Sequence, residues 1–264
     1  MDINEFLKDL DNASNTKMKR NEIYDKCKYS VSKILEVIKR PFEKDKIAMM
    51  CFTKGFNDPE SKYYHMTVEE ILKSWQDKAN IGMANGKILD TFIGLTLDVF
   101  TPQDIIDKYV SSIGEIPYKK CMTFREFNDI NIKSGKLKYL TREKILADES
   151  LGVVGRFDAL FQINDNTLLL VDWKNTENIE TSNKWNKLLG PLSEYDECDY
   201  NLYTVQLYIY VYILRKKYHL TDVKIIPMIV QIGTDGYKMY TTSIPYSDEL
   251  VENIIEFAKN EINK

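Results

Sequence analysis

The stretch GVVGRFDALFQINDNTLLLVDWK, residues 152–174, consists of two apolar runs joined by the polar triplet Asn164-Asp165-Asn166. The first run alternates loosely, the triplet has the composition of a turn, and 167–173 is apolar enough for a buried strand. Each run contains an aspartate. Asp158 lies seven residues before Asp165, and Asp172 lies seven after it. An antiparallel hairpin closing on that triplet therefore sets the two carboxylates nearly opposite each other. A lone carboxylate among apolar neighbours is costly, and two facing carboxylates repel. A divalent cation resolves the conflict, and hard oxygen donors favour Mg²⁺ or Mn²⁺. Lys174 shares a strand face with Asp172, because side chains alternate with period two. An ammonium there can orient a water molecule and stabilise charge developing on a phosphate, while the metal lowers the pKa of the water. The set suits phosphodiester hydrolysis. The plainer alternative is a surface ion pair between Asp172 and Lys174 at a strand end.

The periodicity around the hairpin places it in a fold. Residues 138–150 read as a strand preceding it, which makes a three-strand meander. A polar loop follows over 175–199, then a long helix in YNLYTVQLYIYVYILRKKYH, residues 200–219. Two more strands are expected in VKIIPMIVQIG and YKMYTTSI, around the turn Thr234-Asp235-Gly236. An amphipathic helix started by Ser247 ends the chain. Ahead of the meander the chain is helical. One helix is expected over 21–40, ending before Pro41, and another starts at Thr67 with Glu70 completing a capping box. Further helices are expected near 83–99 and 118–130. This order predicts a mixed central β-sheet flanked by helices. No linker splits it, so residues 1–264 are expected to form one domain. Residues 1–135 would be a mostly helical arm and 136–264 the α/β core.

Composition excludes some classes. The 264 residues carry 44% hydrophobic and 29% charged side chains, the balance of an ordinary globular chain. No apolar run approaches the length of a membrane span, so no membrane partner is expected. The acidic N-terminus does not read as a secretory signal, and a cytoplasmic location, bacterial or host, is expected. A net charge of −4 does not advertise a nucleic-acid partner, although a carboxylate-based metal site lowers the sum without forbidding one. Cys27, Cys51, Cys121 and Cys198 have no zinc or iron–sulfur spacing, so reduced thiols and no iron–sulfur cluster are expected. The basic stretches near residues 17, 38 and 212 are candidates for a DNA path or simply solvated faces.

GRFDALF followed by LLLVDWKNT resembles the core motif of the PD-(D/E)XK nuclease superfamily, in its RecB-like exonuclease branch. The resemblance implies a restriction-endonuclease-like core. It implies a metal-dependent DNA exonuclease of recombination, repair or phage genome processing, acting on single strands or duplex ends. A structure-specific endonuclease or junction resolvase, or an inactive fold that binds nucleic acid or protein, are the alternatives. Carried over residue by residue, it places Asp158, Asp172 and Trp173 at the metal and gives Lys174 the attacking water. Gln206 and Tyr210 match a Q-x-x-x-Y motif near the DNA; core packing is the other reading of the tyrosines. Glu143 fits the additional acid of the preceding strand, with Glu149 as its local competitor. Where relatives carry Gly-x-x-x-His, this chain has Gly86 and Asp90, so an aspartate stands in the place of a metal-ligating histidine. The stretch 187–214 resembles small phage-encoded members of the branch.

Overall fold

The hairpin closes in the register the sequence implies. The structure, a computed structural model, describes residues 6–8, 10–11 and 17–264, apart from the side chains of 17–20. Those side chains include most of the first basic stretch, which therefore lies outside the described residues. Strand β3 (Val153–Asn164) pairs antiparallel with β4 (Thr167–Lys174), with Ala159 opposite Val171 and Leu160 opposite Leu170. The ladder shifts by one residue at its closed end, where Asn164 pairs with Thr167. The turn is therefore tighter than the triplet, and the Asn164 side chain accepts the N–H of Asn166.

Among the described residues the sheet has six strands. Besides β3 and β4 they are β1 (Tyr29–Ser30), β2 (Lys138–Asp148), β5 (Lys224–Ile232) and β6 (Tyr237–Tyr240). Strand β2 runs antiparallel along β3 from Val153 to Gln162. Strand β5 lies parallel to β4, and β6 returns antiparallel against the end of β5. The sheet is thus mixed, as expected. Pro227 sits inside β5 opposite Leu170. A proline is tolerated where its missing N–H faces an unpaired edge, and β6 pairs only with residues 229–232.

Strand β1 was not anticipated. The single helix expected over 21–40 is two: α1 (Lys17–Lys26) and α2 (Val31–Val37), separated by β1. Tyr29 donates its N–H to the carbonyl of Gly152 and lies beside the start of β3, ahead of the part that pairs with β4. The Ser30 side chain accepts the N–H of Lys33 and starts the second helix. Helical spacing on both sides hides this break, because the pairing partner is more than a hundred residues away.

The chain falls into two compact units, one of residues 1–40 with 122–264, the other of residues 41–121. The second unit contains α3 (Lys44–Gly55), α4 (Val68–Leu97) and α5 (Gln103–Ser111). Helix α3 and helix α5 were not anticipated. Both bonds of the Thr67–Glu70 capping box form at the start of α4. The helix expected over 118–130 is α6 (Glu115–Phe127), which leads into a wide helical turn over Asn128–Lys133.

In the first unit, helix α7 (Asp199–Lys216) lies on one face of the sheet with α2 and α8 (Asp248–Ile262) beside it. Leu168, Leu170, Ile209, Ile213 and Ile254 belong to one core between these elements. The opposite face holds an aromatic cluster in which Phe124 and Phe127 of α6 meet Trp173 edge to face. No helix among the described residues is long and apolar enough to cross a membrane.

Candidate active site

Asp158 and Asp172 occupy the hairpin position next after the pair Ala159–Val171. Alternation turns Asp172 and Lys174 toward α7, on the side of Leu168 and Leu170. The Lys174 ammonium lies 2.7 Å from Asp172 Oδ2. Gln206, from the first half of α7, joins both residues. Its Nε2 donates to Asp172 Oδ1 at 3.1 Å, and its Oε1 accepts from Lys174 Nζ at 3.3 Å. A glutamine in so apolar a helix needs a partner of each kind, and the two strand-end charges supply them. Asp158 Oδ2 accepts the main-chain N–H of Trp173 at 2.8 Å.

The electrostatics follow from this crowding. Burial first, and then the charge of Asp172, push the Asp158 carboxyl up to about 8. Burial also raises Asp172, against the opposing pull of Lys174 and Gln206. Desolvation alone would lower Lys174, but Asp172 and then Asp158 outweigh it, and the ammonium is held above its usual range. Two buried carboxylates that act on each other in this way do not both ionise without a nearby positive charge, and Lys174 supplies one such charge.

Tyr210 has a different place from that expected of a nucleotide contact. Its ring is 4% exposed, and its hydroxyl donates to the carbonyl of Arg156 at 2.9 Å. A Cβ built on Gly155 would stand 2.5 Å from the Tyr210 ring and 2.7 Å from Val31. The glycine three residues before Asp158 therefore leaves room for the tyrosine four residues after Gln206. The two sequence motifs interlock, and Tyr210 holds the backbone that leads to Asp158.

Glu143 lies on β2 opposite Asp158 of β3, between the pairs Arg142–Ala159 and Lys144–Phe157. Its φ of 54° is left-handed, an uncommon and strained conformation for a non-glycine residue in a strand. Its Oε2 accepts from Arg156 Nε at 2.8 Å, and its charge is among those that raise Asp158. Glu149 turns away, 3.4 Å from Lys26. The Trp173 side chain points to the opposite face of the sheet, so its contact with Asp158 is the main-chain N–H. Asp90 is an exposed residue of α4 and belongs to the other compact unit.

Sequence reasoning missed Tyr203. The Lys174 ammonium sits 4.0 Å from the centre of its ring. The signal was available, because Tyr203 lies three residues before Gln206, one helical turn away on the same face. The basic residues near 212 are engaged locally: Arg215 lies over Tyr246, and Lys216 pairs with Asp248. All four cysteines are free. Among the described residues, no group of three or more His, Cys, Asp or Glu side chains is gathered closely enough to hold a metal by itself.

No protein-family model matches the chain, and no curated protein does. Among solved structures it is similar to the crystal structure of a "Putative exonuclease" from Eubacterium rectale, at 13% identity and a TM-score of 0.40. That alignment covers 69% of this chain and 65%, just under two thirds, of the other.

Proposed function

We propose that this protein is a metal-dependent nuclease that hydrolyses phosphodiester bonds in DNA on a restriction-endonuclease-like core. The observation that carries the reading is the Asp158–Asp172–Lys174–Gln206 constellation, in which one glutamine ties Asp172 to the Lys174 ammonium and Asp158 faces Asp172 across the hairpin. The topology supports it. An antiparallel meander delivers the acids, and a crossover helix delivers the glutamine before returning to a strand parallel to β4.

The donor set fits Mg²⁺ or Mn²⁺. Two close carboxylates that do not ionise together are hard oxygen donors suited to a small divalent cation, and Mg²⁺ needs only one or two carboxylates with water and substrate phosphate completing its shell. Asp158 and Asp172 would hold it. Bound there, it would lower the pKa of the attacking water and polarise the phosphoryl oxygen.

The chain's own groups perform the rest. The Trp173 N–H fixes one oxygen of Asp158, and Gln206 fixes one oxygen of Asp172, so both acids are preorganised. Lys174 remains an ammonium in this setting. It acts by orienting water and balancing charge on the phosphate, since a protonated amine takes up no proton. Hydrolysis adds water across the phosphodiester and leaves a phosphate monoester and a hydroxyl. The exonuclease form comes from the motif resemblance. Incubation with Mg²⁺ and end-labelled linear or circular DNA tests it. Degradation of linear DNA alone is the expected result, cutting of circles indicates an endonuclease, and no cutting of either overturns the proposal.

A further inference from the structure

We infer that Trp185 is a stacking platform for an unpaired base of the DNA strand whose phosphate lies at Lys174. The inference rests on the nuclease reading and adds a substrate feature to it: a single-stranded segment next to the cut.

Trp185 is 91% exposed. The chain's other two tryptophans are packed among aromatic rings, Trp75 against Tyr63 and Trp173 against Phe124 and Phe127. A large ring left almost wholly in water forgoes the burial that normally accompanies tryptophan.

The loop that presents it is not loosely held. Asn183 Oδ1 accepts the N–H of both Trp185 and Asn186. Asn183 donates in turn to Asp196 Oδ2 at 3.0 Å and to the carbonyl of Glu197 at 2.8 Å. Lys187 and Asp196 close the loop with an ion pair of 2.7 Å, and Leu188 and Leu192 anchor it in the core. The backbone that carries the indole is therefore held in advance, and stacking on the ring has little loop to immobilise.

The position suits the site. The loop leaves directly from the end of β4 at Lys174 and lands on Cys198, the residue capping α7. Glu197, which holds Asn183, precedes that cap. Tyr203, whose ring underlies Lys174, is five residues further on, about 7.5 Å along a helix axis. Three acids of the loop are already engaged. Glu177 accepts from Thr234, Asp196 is paired with Lys187, and Glu197 accepts the N–H of Arg40. Lys184 precedes Trp185 in the chain and is exposed.

Aromatic–base stacking tolerates any sequence, because every base has a π-face. The test compares wild type with Trp185→Ala and Trp185→Phe. Binding of a fluorescein-labelled oligo-dT is followed by anisotropy in Ca²⁺, and cleavage of the same oligonucleotide in Mg²⁺. Trp185→Ala is expected to raise Kd and KM by about tenfold to a hundredfold. Trp185→Phe should recover most of the loss, and kcat and melting temperature should stay within error of wild type. Oligonucleotide is expected to quench the intrinsic fluorescence of wild type, and not of Trp185→Ala. If wild type binds and cuts while Trp185→Ala matches it in Kd and KM, the stacking role is refuted and the nuclease reading stands. If wild type neither binds nor cuts, the nuclease reading fails, and the stacking role falls with it.

Discussion

A Cβ at Gly155 would press into the Tyr210 ring, whereas one at Gly82 would meet nothing within 4 Å. The two glycines mark two kinds of long-helix environment. Helix α7 is buried around nearly its whole circumference from Thr204 to Leu214, and each polar side chain in that part has a partner. Helix α4 is bare over residues 76–84, Ile81 and Met83 included. It depends there on its capping box and on helix propensity. A buried helix can hold a glutamine against two charges, because the surrounding core leaves that side chain little alternative. A solvated helix cannot fix a side chain in that way. The candidate chemistry lies where tertiary packing constrains polar groups.

The strongest way to break this contrast is to remove charge at the site. Asp172→Asn is expected to lower kcat on DNA by about a thousandfold or more, since the metal and the preorganised electrostatics are lost together. Lys174→Met should lose about a hundredfold in turnover while Mn²⁺ affinity, followed by calorimetry, changes little. A parallel loss of metal affinity would make Lys174 a structural partner of Asp172 instead.

Packing comes next in size. Gly155→Ala is expected to destabilise the fold by about 1–3 kcal/mol through overpacking against Tyr210 and Val31, read by urea denaturation. An unchanged midpoint would show that the Gly155–Tyr210 contact is slack, and the interlock between the two motifs would be lost with it.

Asp158→Asn probes stability and charge together. The Asp158 carboxyl is pushed from the ordinary range near 3.8 up to about 8 in the folded protein. Between those values the unfolded chain has released the proton and the folded one keeps it, so folding stability falls as pH rises across that window. Asparagine removes this slope and can still accept the Trp173 N–H. The metal-free variant should therefore melt several degrees above wild type at pH 8 and close to it at pH 4, while showing no Mn²⁺-induced rise. Equal melting temperatures at both pH values would show that burial and the neighbouring Asp172 do not raise the Asp158 carboxyl.

The smallest expected change belongs to the bare helix. Gly82→Ala should stabilise by about 0.5–1 kcal/mol, the propensity difference alone, with cleavage unaltered. A loss of stability would mean that residues 76–84 are covered in solution.

Local pattern made much of this protein legible. The alternation on either side of Asp165 is a short-range property, and it set the β3–β4 register and the facing of Asp158 and Asp172. The capping box at Thr67 and the start of α8 at Ser247 are local hydrogen-bond chemistry and could be read directly. Gln206 stood out because an amide in an apolar helix has to find a partner. The rest required the fold. Strand β1 forms by pairing with the distant start of β3, where the Gly152 carbonyl accepts the N–H of Tyr29. Whether Tyr210 met a nucleotide or a backbone depended on how closely α7 approaches β3, which the missing side chain of Gly155 decides. Glu143 could be nominated, but its left-handed backbone and its ion pair with Arg156 are visible only in the folded chain. Sequence alone determines which groups must avoid water or find a charge. Tertiary structure decides which neighbour satisfies them, because those contacts join residues tens to more than a hundred positions apart.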